Sequence, residues 1–168
     1  MKQQILMAEF LATPWALMPE RLNAMAAVLT RWSQGFLASE DNMIRVNADK
    51  VIRSTRREIA ASQSSGGIAV LPLYGVVTQR GNMVDDVSGP GSMSTQQFSA
   101  ALRQALADPQ VGQILIDIDS PGGSVYGVAE LADEIMNARA QKPVVAIANS
   151  LAASAAYWIG CSAGEFYV

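Results

Sequence analysis

Two short segments of the sequence hold residue types that could perform acyl-transfer chemistry. The first, Asp119-Ser120-Pro121-Gly122-Gly123-Ser124, joins an apolar, strand-like run to a predicted helix. Paired glycines let the backbone adopt positive φ and let a ligand approach closely. Their N–H groups, next to a helix N-terminus, could cradle an anion. An ordinary β-to-α turn explains the same glycines, so this segment alone leaves both interpretations open.

The second segment runs from Asn149 to Trp158 and reads Asn-Ser-Leu-Ala-Ala-Ser-Ala-Ala-Tyr-Trp. We expect a strand to end at Asn149 and Ser154 to lie in the first turn of an alanine-rich helix. Small neighbours leave room for a substrate backbone beside Ser154, and a helix N-terminus would stabilise a developing oxyanion. For this segment in isolation, helix packing through small residues around a buried Ser154 is the simpler interpretation.

The absence of histidine limits the possible chemistry most strongly. Ser-His-Asp triads, Cys-His dyads and histidine-based zinc sites cannot be built from this chain alone. Asp117 and Asp119 share a strand face and could bind a metal or share a proton, but no further ligand cluster accompanies them. A structural role is expected for both. Cys161 has no histidine to activate it and is predicted to be a small core residue.

Composition indicates a globular domain. The 168 residues are 50% hydrophobic and 16% charged, with a net charge of -3, so there is no global electrostatic case for nucleic-acid binding. No apolar run approaches the ~20 residues that span a bilayer, and no signal peptide is evident. We therefore expect a cytoplasmic protein that contacts neither nucleic acid nor membrane and uses no cofactor or metal.

The elements that must position the two segments follow from hydrophobic periodicity. Residues 1–67 are predicted to form a helical arm and linker, with a helix over 19–34 whose apolar face must dock on the body or on another subunit. The basic stretch 37–67 could touch nucleic acid or an acidic partner, but a solvated and partly mobile arm is the favoured interpretation. From Ile68 strands and helices alternate, which predicts an α/β fold with a mainly parallel sheet. The predicted strands are 68–77, 111–119, 143–149 and a last one from 165; the predicted helices begin at the Ser94 N-cap and cover 125–140 and 152–161.

Taken together, the two segments resemble the signal-peptide-peptidase-A branch of the ClpP-like serine peptidases. The similarity covers Ile68 to about Ile159 and is greatest to phage head-maturation proteases of the lambda C-protein type. It implies a ClpP/crotonase-like fold, with residues 68–168 as an incomplete peptidase core. It further implies Ser154 as nucleophile and an oxyanion hole from the backbone N–H groups of Gly123, with Gly122 beside it, and of Ala155. The implied partners are scaffold or capsid proteins as substrates and further copies of the chain in a homo-oligomer, in the host cytoplasm or the phage prohead.

The same resemblance implies a Ser-Lys dyad, in which a lysine with a depressed pKa takes the serine proton. In the family this lysine lies well downstream of the nucleophile. The lysines of this sequence are Lys2, Lys50 and Lys142. Lys142 precedes the strand that leads to Ser154, about seven strand residues and so ~20 Å away at ~3.3 Å per residue. We therefore expect a chain truncated before its base, with little or no activity.

Two alternatives remain open. The first is an inactive structural protein of the phage head that keeps the fold and its oligomer contacts. The second is an acyl-CoA enzyme of the crotonase type, which uses a similar oxyanion hole and an acidic residue such as Glu130 or Asp133. It ranks lower, because it would not need Ser154 among small residues.

Overall fold

The computed structural model of the chain describes residues 2–33, 66–80 and 92–168. The basic arm predicted for 37–67 lies outside these ranges except for Gly66 and Gly67, and so does most of the loop predicted for 81–92. Five helices are described: α1 (Lys2–Ala12), α2 (Pro19–Ser33), α3 (Thr95–Ala107), α4 (Val128–Ala138) and α5 (Ala155–Cys161). The strands are β1 (Trp15–Leu17), β2 (Gly67–Tyr74), β3 (Val76–Thr78), β4 (Ser92–Ser94), β5 (Val111–Ser120), β6 (Gly122–Ser124), β7 (Val144–Ala152) and β8 (Glu165–Tyr167).

The main sheet is parallel, with strand order β2-β5-β7-β8. Its central strand β5 buries Ile114, Ile116 and Ile118 completely, because alternate residues of a strand point to the same face. Ile116 pairs with Leu71 on one side and with Ala146 on the other. These strands form one apolar core with α3, α4 and α5. The predicted α/β class and the parallel sheet are confirmed.

A second, smaller sheet has the order β1-β6-β3-β4 and was not predicted. β6 consists of Gly122, Gly123 and Ser124, which the sequence analysis assigned to a turn because glycine has low strand propensity. β1 was predicted to belong to a helical unit, and it instead pairs antiparallel with β6. Tertiary pairing overrides local propensity at both strands.

The run predicted as one strand over 68–77 is interrupted at Gly75. This glycine has a φ of 70°, a conformation that residues with a Cβ rarely adopt. The change of direction sends β2 into the main sheet and β3 into the small one. Gly75 thereby connects the core strands to the strands that flank β6.

Several predicted boundaries need correction. β7 continues to Ala152 rather than ending at Asn149, and α5 begins at Ala155 rather than at 152. α4 begins at Val128, after Gly127 with a φ of 78°, three residues later than predicted. The predicted N-cap is confirmed, since the Ser94 hydroxyl accepts a hydrogen bond from the Gln97 amide at 3.4 Å.

Cys161, which is predicted to be a small core residue, lies at the surface. It is exposed, because it ends α5 on the side away from the buried Ile159. On α4, Met136 is also exposed, whereas the neighbouring Ile135 is fully buried.

The apolar face of α2 docks on the chain itself. Met25 and Leu29 are both 5% exposed, and Met25 packs with Leu17 of β1 and Val76 of β3 in a small second cluster. This confirms one of the two docking possibilities named for the helix. Within the three described ranges, no helix has the length and apolar character needed to cross a membrane.

A polar tie crosses the main sheet through Asp117. The Tyr74 hydroxyl of β2 donates a hydrogen bond to one carboxylate oxygen of Asp117, and the Asn149 side-chain amide of β7 donates to the other. Asp117 therefore has a partner on each neighbouring strand. Burial raises the pKa of Tyr74 to about 12, and the hydrogen bond and the negative charges of Asp117 and Asp119 act in the same direction.

We predict that this tie makes stability sensitive to alkaline pH. The folded-state pKa of Tyr74 lies above its ordinary value of 10.0, so its contribution to stability is full below pH 10 and is lost as pH rises through about 12. Ultraviolet titration at alkaline pH, as the difference between wild type and Tyr74→Phe, checks this. Asp117→Asn should lower the Tyr74 midpoint. A wild-type midpoint at the ordinary value would contradict the tie.

Candidate active site

Ser154 lies at a strained turn between a strand and a helix. Its φ is 55° and its ψ is -117°, and it is the one non-glycine residue in the described ranges with a positive φ. Such a conformation costs on the order of 1–3 kcal/mol and persists only where the surroundings impose it. The sequence predicts Ser154 inside the first helical turn. The structure places it at the N-cap position, immediately before α5.

The turn leaves the Ser154 side chain open to a reactant. The residue is exposed, and its hydroxyl makes no capping hydrogen bond to the helix that follows. A strand-to-helix turn of this kind presents a serine hydroxyl at the end of a sheet. The interpretation of Ser154 as a buried helix-packing residue is therefore wrong. The two residues that follow it, Ala155 and Ala156, pack in the core instead, at 1% and 0% exposure.

Hydrogen bonds on either side hold the turn in place. The Ala153 amide donates to the carbonyl oxygen of Ser120 at 3.0 Å, which fastens the end of β7 to the end of β5. The Trp158 amide donates to the Ser154 carbonyl oxygen at 3.0 Å, which begins the α5 hydrogen-bond pattern. Ser154 is thus fixed by two buried elements rather than by its own side chain.

The glycine strand β6 contacts this turn directly. A Cβ placed on Gly122, whose φ is 97°, would lie 2.9 Å from the Ser154 Cβ and 3.0 Å from the Ala153 carbonyl oxygen. A Cβ on Gly123 would lie 1.9 Å from the carbonyl oxygen of Val77 in β3, a distance that no side chain can accept. The structure therefore brings Ser154 and Gly122 into contact, with Gly123 the next residue of β6 and Ala155 the next residue after Ser154.

Ser120 supports the site, and the sequence analysis did not assign it a role. It is fully buried. Its hydroxyl donates to the Gly75 carbonyl oxygen at 2.6 Å and accepts from the Gly122 amide at 3.2 Å. Together with the bond from Ala153, Ser120 connects β5, β6, the end of β7 and the Gly75 bend. The available signal was its position immediately before Pro121 in the quoted motif.

Lys142, the lysine whose side chain the structure describes, forms its hydrogen bonds away from Ser154. Its ammonium group donates to the carbonyl oxygens of Ala105 at 2.8 Å and Asp108 at 2.6 Å. These acceptors lie at the C-terminal end of α3, next to the start of β7, whereas Ser154 follows the other end of that strand. Lys142 therefore does not contact Ser154. Lys50 lies outside the described residues, and so does the side chain of Lys2.

Among the described residues, side chains that commonly bind metal ions do not cluster near the site. In the part of the chain that the structure describes, no group of three or more histidine, cysteine, aspartate or glutamate side chains could hold a metal ion. The groups next to Ser154 are backbone amides and carbonyls. Such a site can orient a peptide chain and stabilise an oxyanion without a bound cofactor.

Comparison with curated proteins gives significant relatives, while no family model matches the chain. The chain is 40% identical over 108 residues to the head-tail preconnector protein GP5 of Enterobacteria phage P21, covering 64% of this chain and 21% of that protein. It is 38% identical over 109 residues to the capsid assembly protease C of Escherichia phage lambda, covering 65% and 23%. Protease 4 of Salmonella typhi is 36% identical over 89 residues, covering 52% and 14%.

The match thus spans less than a quarter of the length of each of these relatives. A putative signal peptide peptidase SppA of Enterococcus faecium also matches, at 24% identity over 127 residues. The relatives combine phage head proteins with signal-peptide-peptidase-A proteases, the two groups that the Pro-Gly-Gly and Ala-Ala-Ser segments indicated. The chain is thus similar both to phage head proteins and to signal-peptide-peptidase-A proteases, and these similarities support the signal-peptide-peptidase-A, ClpP-like family with its phage head-maturation proteases.

Proposed function

We propose that the chain carries the nucleophile and oxyanion hole of a serine endopeptidase that cleaves phage scaffold or capsid proteins during head maturation. The observation that supports this most strongly is the contact between the strained Ser154 turn and the Gly122–Gly123 strand. This contact supports a site in which the Ser154 hydroxyl acts beside a strand to which an extended peptide could pair. The names of the phage relatives support the choice of substrate.

The proposed reaction begins with attack of the Ser154 Oγ on the carbonyl carbon of a peptide bond. A base takes the hydroxyl proton, and the oxygen that becomes negative accepts hydrogen bonds from the Gly123 and Ala155 amides. The C–N bond then breaks, and the base returns the proton to the leaving amine. Water, activated by the same base, hydrolyses the Ser154 ester and regenerates the hydroxyl.

We propose a lysine as this base, from outside the described residues. Lys142 is excluded by its two carbonyl partners at the far end of β7. Asp117 is held by Tyr74 and Asn149. Assembly of several copies is part of the proposal, with the host cytoplasm or the prohead as the place of action.

A second candidate function is an inactive structural protein of the phage head on the same fold. The name of the phage P21 relative, a head-tail preconnector protein, favours it. This alternative retains the fold but requires no reactivity at Ser154. Reactivity of the serine therefore separates the two functions.

Covalent labelling tests the nucleophile. We expect a peptidyl fluorophosphonate to modify Ser154 slowly, at a rate that rises with pH because hydroxide replaces a distant base. Mass spectrometry of the digested protein locates the adduct. Ser154→Ala should abolish it, and Ser150→Ala, which changes another exposed serine of the same segment, should not. A folded chain that is labelled at another residue and not at Ser154 would contradict the proposed function.

A substitution in β6 tests the oxyanion hole. We expect Gly123→Ala to slow Ser154 labelling by about 10²–10³-fold, as for loss of one oxyanion donor, because the new methyl group must push β6 away from β3. Gly164→Ala is the matched control, since its Cβ would meet the Val144 carbonyl oxygen at 3.2 Å, away from Ser154. Thermal unfolding verifies that both variants are folded. Equal labelling rates would exclude Gly123 from the oxyanion hole.

A further inference from the structure

The N-terminal strand β1 lies along the glycine strand of the site. It pairs antiparallel with β6 in the register Trp15 with Ser124, Ala16 with Gly123 and Leu17 with Gly122. Two hydrogen bonds bound the paired region. The Met18 amide donates to the Pro121 carbonyl oxygen at 3.1 Å, and the Val125 amide donates to the Pro14 carbonyl oxygen at 3.0 Å.

These two bonds determine which pair in the middle is hydrogen-bonded. Hydrogen-bonded and non-hydrogen-bonded pairs alternate along an antiparallel ladder. The outer bonds make Trp15–Ser124 and Leu17–Gly122 the non-hydrogen-bonded pairs, so Ala16 and Gly123 form the hydrogen-bonded pair between them. In that pair the Gly123 amide donates to the carbonyl oxygen of Ala16. The amide proposed for the oxyanion hole thus already holds a carbonyl of its own chain.

The same carbonyl lies close to the proposed nucleophile. A Cβ built on Gly122 would be 2.4 Å from the Ala16 oxygen and 2.9 Å from the Ser154 Cβ. Both atoms therefore border one point beside Gly122. The Ala16 carbonyl has the two neighbours that a scissile carbonyl would need, namely the Gly123 amide and the Ser154 side chain.

A substrate strand has no other edge of β6 to use. The opposite edge pairs with β3, through Val77 and Gly123, and the Gly123 backbone is tightly packed against Val77. Along β1 the side chains divide between two sides. Trp15 and Leu17 pack in the small cluster with Met25 and Val76, whereas Ala16 packs against the main core. Ala16, whose carbonyl approaches Ser154, is thus the small residue of β1.

Hydrogen bonds at both ends of β1 hold the strand in place. The Trp15 indole N–H donates to the Phe10 carbonyl oxygen at 2.9 Å, which ties β1 to α1. The Met18 carbonyl oxygen accepts from the Arg21 and Leu22 amides, each at 3.0 Å, which ties β1 to the start of α2. Ser154 itself stays exposed. The segment therefore covers the glycine strand and leaves the serine accessible.

We propose that residues 13–18 are an intramolecular occupant of the peptide-binding strand position, which a substrate must displace from β6. The proposal rests on the proposed function for its description of the site. The occupant also defines what the site accepts: an extended main chain that runs antiparallel to β6, with a small residue before the attacked bond and larger apolar residues on either side. Residues 13–18 and a substrate peptide then compete for β6. The apparent affinity for the peptide falls as the fraction of free sites falls.

A disulfide clamp tests the competition. Non-hydrogen-bonded antiparallel pairs have Cα atoms about 4.5 Å apart, within the range that a disulfide spans. Trp15→Cys combined with Ser124→Cys, in a Cys161→Ser background, should lock β1 on β6 when oxidised and release it when reduced. The probe is a fluorescent heptapeptide with the sequence of residues 13–19, and its binding is followed by fluorescence anisotropy.

We expect the reduced protein to bind the probe at least about tenfold more tightly than the oxidised protein, because the clamp removes the free form of the site. Equal affinities in the two redox states would overturn the proposal. The two single-cysteine variants control for loss of the Trp15 and Ser124 side chains. Circular dichroism of both redox states verifies that the folds agree.

Hydrogen exchange on the unmodified chain provides a second measurement. Excess heptapeptide should reduce the protection of the amides in residues 13–18, while the amides of Gly123 in β6 and of Val125 after it remain protected. Unchanged protection of residues 13–18 at a saturating peptide concentration would count against displacement.

Parallel labelling of Ser154 separates this proposal from the proposed function. If peptide binding follows the redox state but the label reacts at another residue and not at Ser154, the occupant is confirmed and the peptidase assignment fails. If Ser154 is labelled equally in both redox states and peptide affinity is unchanged, the occupant fails and the peptidase assignment stands.

Discussion

The backbone of β6 approaches its neighbours so closely that only glycine fits at its first two positions. A Cβ on Gly123 would be 1.9 Å from the Val77 carbonyl oxygen, and one on Gly122 would be 2.4 Å from that of Ala16. This close packing places Gly122 of β6 in contact with the Ser154 turn. The small sheet has a matching cause. Because the glycines of β6 have no side chains to pack, β1 and β3 hold the strand through its backbone.

The strain at Ser154 is offset by the elements around it. The buried faces of β5 and α5 are fixed by the main core, in which Ile116, Ile118 and Ile159 are fully buried. Ser120 connects this core to the site, because its hydroxyl and carbonyl oxygen form hydrogen bonds with the Gly75 bend, β6 and the end of β7. A rigid sheet thus holds the Ser154 turn in a conformation that a free peptide would rarely adopt.

The large-scale features of the fold were predictable because they depend on periodicity. The alternation of Ile114, Ile116 and Ile118 gave a buried strand, and the N-cap at Ser94 gave a helix start. The small sheet was not predictable from the same rules, because three-residue strands of Gly-Gly-Ser and Trp-Ala-Leu have no periodicity of their own and form only where a partner strand is present. The positive φ of Ser154 has no local signal either, since it follows from the ends of β7 and α5. The grouping of Ser154 with Gly122, Gly123 and Ala155 came from the family resemblance, and the structure brings Ser154 and Gly122 into contact.

The central claim is that Ser154 and β6 form one site for an extended peptide. A crystal structure of the chain with the tripeptide aldehyde Pro-Trp-Ala-H tests it most directly. The account predicts a bond from the Ser154 Oγ to the aldehyde carbon and an aldehyde oxygen within about 2.7–3.2 Å of the Gly123 nitrogen. It also predicts an inhibitor backbone antiparallel to β6 in the place of β1. An inhibitor bound elsewhere, or bound to Ser154 while β1 remains paired with β6, would contradict it.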